Sequence, residues 1–165
     1  MVFVHVGTLL ALAGFCLASI ETPELTPCSD AQAFKLSDLK LTNAVLGQTM
    51  TLDFTLDITQ ELNSSPQLTV TVTKNDGQEI DCIQNFIGSC TYDLCGGTSI
   101  AEQMLGSLWN NECPIEPNSY TQSVSGELPE IAKSFLGNGT INIMFEVQDG
   151  GKTVGCQKLP VTIKF

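Results

Sequence analysis

TLDFTLDIT, residues 51–59, decides how this chain folds. Leu52, Phe54, Leu56 and Ile58 fall on one side of an extended strand, and Thr51, Asp53, Thr55 and Asp57 on the other, because successive side chains of a strand point to opposite faces. A strand written this way has one buried and one wet face, as in an antiparallel sheet covered on a single side. Downstream, after a break over residues 63–66, QLTVTVTK (residues 67–74) repeats the pattern with Leu68, Val70 and Val72 inward. The NDG at residues 75–77 supplies a tight turn, so this segment reads as a hairpin arm.

Towards the C-terminus, INIMFEVQD (residues 141–149) places Ile141, Ile143, Phe145 and Val147 inward. DGGK (residues 149–152) turns the chain, and KTVGCQKLPVTIKF (residues 152–165) returns as the other half of a hairpin. The apolar phase of that last strand changes across Pro160, from Val154 and Cys156 to Val161, Ile163 and Phe165, which predicts a bulge or an edge position there. One stretch departs from period two. In TSIAEQMLGSLW (residues 98–109), Ser99 and Glu102 form a capping-box signature, and Ile100, Met104 and Leu108 recur at helical spacing, which predicts a short helix ending near Trp109. With no repeat, low-complexity run or linker, residues 20–165 read as one all-β domain, an antiparallel sandwich of about seven or eight strands with one short helix.

The chain has 165 residues, 42% of them apolar, enough to bury the core of one ordinary domain. Val2 to Ile20 is nearly all apolar, has no Lys or Arg and ends in small residues around Ala18 and Ser19, so residues 1 to about 19 read as a signal peptide. Its extreme N-terminal position and small-residue end weigh against an uncleaved membrane anchor. Phe15, in front of Cys16, does not suit a lipid-anchored cysteine. Cleavage removes Cys16 and leaves six cysteines, Cys28, Cys82, Cys90, Cys95, Cys113 and Cys156, which in an exported chain implies three disulfides.

Cleavage also removes His5, the single histidine. Without it, and without a CxxC pair, no metal site is expected, and neither a Ser/His/Asp triad nor a Cys/His pair can be assembled. No cofactor motif is present. Paired carboxylates remain a chemical route, but the acidic residues fall mostly on outward strand positions or in turns, where they are solvated. The chain therefore reads as a binder before an enzyme. Its 18 acidic residues face seven lysines and no arginine, a net charge of −11 that excludes nucleic acid as a partner. The same charge repels anionic membranes near neutral pH, and that repulsion eases in an acidic compartment as carboxylates protonate, which fits secretion with an endosomal or lysosomal destination. Two glycosylation sequons, at Asn63 and Asn138, lie in expected turns.

The cysteines carry more than their number. CIQNFIGSCTYDLC (residues 82–95), a short apolar stretch and ECPIEP (residues 112–117) resemble the ganglioside activator branch of the ML lipid-recognition family. LPEIAKSFLGNGTINIMFEV (residues 128–147) followed by GKTVGCQKLPVTIKF is similar to that family's last hairpin with its final cysteine. The resemblance spans about residues 28–165 and is most specific in the cysteine order and the IGSCTYDLC core. It implies bridges Cys28–Cys156, Cys82–Cys90 and Cys95–Cys113. It also departs from the activators, which have a fourth bridge and a longer region after the residue matching Cys113; both belong to loops around the opening, so presentation of a ganglioside to a hydrolase is the part of the resemblance least carried over.

The family fold is an immunoglobulin-like sandwich whose sheets splay into a cup with an apolar cavity. On that pattern Leu52, Phe54, Leu56, Ile58, Leu68, Val70, Val72, Ile141, Ile143, Phe145, Val147, Val161 and Ile163 line a cavity for a sphingolipid, phospholipid or sterol. Ile100, Met104, Leu105, Leu108 and Trp109 form a rim that touches a membrane transiently, Trp suiting an interface by its apolar ring and donor N–H. Trp109→Ala is then expected to weaken vesicle binding more than stability; the competing expectation is that this helix simply plugs one end of the β core. A lipid hydrolase or a receptor is the protein partner such a carrier would meet. The same inward residues would also fill a dry sandwich, and an adhesion or innate-immunity interaction module is the competing reading.

Overall fold

The computed structural model describes residues 19–85, 87–127, 132–136 and 139–164. Residues 1–18, which hold most of the expected signal peptide, and the second sequon residue Asn138 lie outside the described residues. The alternating segments form nine described strands: β1 (Ile20–Glu21), β2 (Thr26–Gln32), β3 (Phe34–Thr42), β4 (Thr49–Ile58), β5 (Gln67–Lys74), β6 (Cys90–Asp93), β7 (Asn118–Glu127), β8 (Gly139–Asp149) and β9 (Lys152–Ile163). Helix α1 (Ile100–Gly106) runs into a 3-10 turn at Ser107–Trp109, and a single turn, α2 (Lys133–Leu136), precedes β8. One sheet has the order β1-β3-β4-β7 and the other β2-β9-β8-β5-β6, all pairs antiparallel.

All but the last residue of TLDFTLDIT lies in β4, between β3 and β7, and the next alternating segment, β5, belongs to the opposite sheet. The break after residue 59 is therefore a crossing between sheets. The hairpin begun at NDG is real but interrupted. Gly77 sits at φ +83, its N–H donates to Lys74 O (2.9 Å), and Ile80 N donates to Val72 O (2.9 Å). The chain then leaves the ladder over residues 81–89, pinched by the Cys82–Cys90 disulfide, and resumes pairing with β5 as β6.

The C-terminal hairpin runs from Asp149↔Lys152 to Gly139↔Ile163, with Gly150 and Gly151 both at positive φ in its turn. Its irregularity is not at Pro160, which pairs with Asn142 in unbroken register. The register shifts between Val147 and Gln148, where Val154 is the extra residue of a bulge. Pro160 does occupy a locally open edge, beyond the Thr26↔Lys158 pair where β2 ends its contact with β9, so its missing N–H costs nothing there.

β3 holds inward residues that the reading of the sequence passed over. Phe34 and Leu36 are followed by Leu39 and Leu41, a change of phase made by a bulge between Ser37 and Lys40 with Asp38 at φ +52. The three disulfides join Cys28 to Cys156, Cys82 to Cys90 and Cys95 to Cys113, the pairing the family resemblance implied. Buried apolar residues form two clusters, one around Leu62, Leu94, Trp109 and Ile115, the other around Leu41, Leu136, Ile141 and Ile163. Phe54, Val70 and Phe145, only partly buried, pack against both.

Candidate functional site

Those three half-covered side chains mark a gap between the clusters. The sheets do not meet along their whole facing area but leave a cavity of about 420 Å³. Its walls follow from strand alternation: Leu52, Phe54 and Leu56 from β4; Leu68, Val70 and Val72 from β5; Ile141, Ile143, Phe145 and Val147 from β8; Val161 and Ile163 from β9. Ile58, read as a lining residue, instead sits 3% exposed at the last position of β4, in the packed cluster that also holds Trp109. The β3 residues Phe34, Leu36, Leu39 and Leu41 and Leu159 of β9 complete the walls. A filled sandwich is thus not what this chain builds.

Leu105, Leu108 and Trp109 line the cavity beside α1 together with Tyr92 and Leu94, and Met50, Ile87, Gly88 and Leu136 also belong to its lining. The expected rim therefore splits in two. Ile100 (77% exposed) and Met104 (48%) face outward, one turn apart on α1, whereas Leu105 and Leu108 are half-buried against the cavity. Trp109 is not a rim residue. It is 9% exposed, its Nε1–H donates to Leu94 O at 2.6 Å, and its ring meets Tyr120 edge-on at 6.0 Å. The helix shortens into a 3-10 turn at Ser107, which rotates the indole inward to an acceptor that a buried donor requires.

The helix is anchored as its sequence signature foretold. Glu102 N donates to Ser99 Oγ (3.2 Å), and Glu102 Oε2 accepts from Ser99 N (2.8 Å) and Thr98 N (3.0 Å). Its other oxygen accepts from Asp93 N (3.1 Å), tying α1 to β6. Bonds from Ser99 first of all, then from Asp93 and Thr98, lower the Glu102 pKa to about 2. Burial first, and the nearby Glu102 charge second, raise the pKa of the Tyr92 phenol, which stays neutral.

The cavity wall offers few polar atoms, and the best placed are already engaged. Gln157, 4% exposed, accepts from Leu36 N through Oε1 (2.6 Å) and donates from Nε2 to Leu36 O (3.0 Å), so its amide takes the place of a neighbouring strand and stitches β9 to β3. It shares its face with Leu159, Val161 and Ile163, a parity legible in the sequence but hidden by placing the phase change at Pro160. No carboxylate is among the described lining residues. Asn63 is exposed between β4 and β5, its Nδ2 donating to Glu61 Oε1 (2.7 Å).

A family model for the ML domain matches residues 23–163. The crystal structure of a Niemann-Pick type C2 protein from the Japanese carpenter ant aligns with a TM-score of 0.53 at 10% identity, covering 86% of this chain and 99% of that one, a likeness of fold. The C-terminal domain of wzt aligns at a TM-score of 0.46 and 9% identity, over 87% of this chain and 78% of that one. No curated protein matches the sequence.

Proposed function

Because the chain belongs to the ML domain family over residues 23–163, we propose that it is an exported carrier that holds the hydrocarbon of a lipid between its two sheets. The observation that carries this reading is the apolar cavity of about 420 Å³, whose buried Gln157 has both amide ends already bonded to Leu36. Such a wall rewards a hydrocarbon tail, at about 0.8 kcal/mol per buried methylene, and gives little to a polar head, which stays at the mouth. Ile100 and Met104, apolar and exposed on α1, are the side chains we assign to transient membrane contact. Six paired cysteines support an oxidising compartment, outside the cell or in its endolysosomal system. The apolar wall suits a sphingolipid, a phospholipid or a sterol as cargo, and handing it to a lipid hydrolase is the step that the resemblance to ganglioside activators carries least. The test is native mass spectrometry of the protein secreted by its own cells, followed by organic extraction. A bound lipid in a one-to-one complex supports the carrier. A mass equal to the bare chain, unchanged after incubation with mixed-lipid vesicles, rejects it.

A further inference from the structure

Three of the four sheet edges are protected in ways that prevent strand addition. β1 is two residues long, and the stretch of β3 beyond it is bulged between Ser37 and Lys40 and has its Leu36 N–H and C=O taken by Gln157. β2 carries Pro27, a register shift and the Cys28 bridge to β9. β6 has four residues, and its Asp93 N–H is taken by Glu102 of α1.

β7 has none of these protections. Its ten residues pair with β4 without a register shift, and no described strand lies on its other side. From Asn118 to Gly126 it contains no proline and no charged residue, a neutral strip on a chain of net charge −11. Near its start the Ser119 N–H is already held by Asn118 Oδ1 (2.9 Å), so the open run is residues 120–126.

We propose that this edge pairs with the β7 edge of a second copy of the chain, joining two sheets across a two-fold axis at Gln122. Opposed residues of an antiparallel pair share a face, so the two strands must match residues of equal parity. Centred on Gln122, Tyr120 opposes Val124 and Thr121 opposes Ser123, with Ser119 opposite Ser125. The strand is then complementary to itself: hydroxyls meet hydroxyls on the outer face, an aromatic meets a β-branched residue on the inner face, and no charge faces a like charge. The same chemistry already operates one strand inward, where Thr51 Oγ1 meets Ser125 Oγ at 2.9 Å and Thr55 Oγ1 meets Thr121 Oγ1 at 3.3 Å. Asp53 and Asp57, the β4 neighbours of Ser123 and Ser119, bring the nearest negative charge, so association strengthens with salt.

Sedimentation velocity over a range of protein and salt concentrations tests this. The wild type is expected to move from monomer to dimer with concentration, and more readily at higher salt. Thr121→Glu combined with Ser123→Glu sets like charges opposite each other and is expected to abolish the dimer. Thr121→Glu combined with Ser123→Lys sets opposite charges there and is expected to retain it. Both variants alter exposed positions, and circular dichroism checks that they fold. A wild type that stays monomeric throughout, or a doubly acidic variant that dimerises like the wild type, overturns the proposal.

Discussion

The indole N–H of Trp109 and the carboxylate of Glu102 show how single groups hold α1 and the turn after it against the strands. Truncating the indole removes packing from a cluster with few alternatives, so Trp109→Ala is expected to cost about 3–5 kcal/mol in urea unfolding. Lipid uptake should fall only in proportion to the folded fraction. Ile100→Ser with Met104→Ser, both exposed, should stay within about 1 kcal/mol of wild type while weakening vesicle binding in flotation, because these side chains touch water and not the core. Glu102 gives a pH signature. Its folded pKa of about 2 lies below the ordinary carboxylate value, so its contribution is fully present above that ordinary value and is lost as pH falls from there through about 2. The stability gap between wild type and Glu102→Gln should therefore be constant from neutral pH to about 5 and close in stronger acid, which thermal melts across that range will read. The helix cap thus survives the pH of an acidic organelle.

At the scale of elements, what was legible in the sequence was whatever period and spacing encode locally. β4, β5 and β8 each alternate without interruption, and Phe54, Val70 and Phe145, one from each, lie in the cavity wall. The capping box placed α1. What escaped were the bulges, since an extra residue such as Asp38 in β3 or Val154 in β9 reverses the phase without marking itself in composition. The orientation of α1 escaped for a different reason: it has two apolar stripes, Ala101–Leu105–Leu108 and Ile100–Met104, and only the strands behind it decide which is buried. Gln157 is the clearest case of a role that depends on a partner distant in sequence. Gln157→Leu should leave the Leu36 N–H and C=O without their acceptor and donor, at a cost on the order of 1–3 kcal/mol for each buried group, and let the two sheets separate along β3 and β9. Amide exchange of Leu36 will report that opening. Replacing Cys28 and Cys156 together by serine removes a bridge across 128 residues and should cost about 2–5 kcal/mol, read as a lower midpoint in urea.

For the whole molecule, two sheets pinned by Gln157 along one side, with Trp109 buried in the wall, leave a space that hydrocarbon suits and water does not. Net negative charge, paired cysteines and an apolar interior then describe one object, a disulfide-stapled container, which is what the proposed carrier requires. If the space between the sheets is the binding site, filling it must abolish binding without unfolding the chain. Val70, half-buried and packed against both clusters, stands at its middle. The decisive measurement is equilibrium binding of a fluorescent acyl-chain lipid to wild type, Val70→Phe and Val70→Trp, each checked by circular dichroism. Affinity is expected to fall stepwise with the size of the ring, to no measurable binding for Val70→Trp, while the β-sheet spectrum is kept. A folded Val70→Trp that binds the lipid as tightly as wild type would show that the ligand sits elsewhere and that the cavity is not the site.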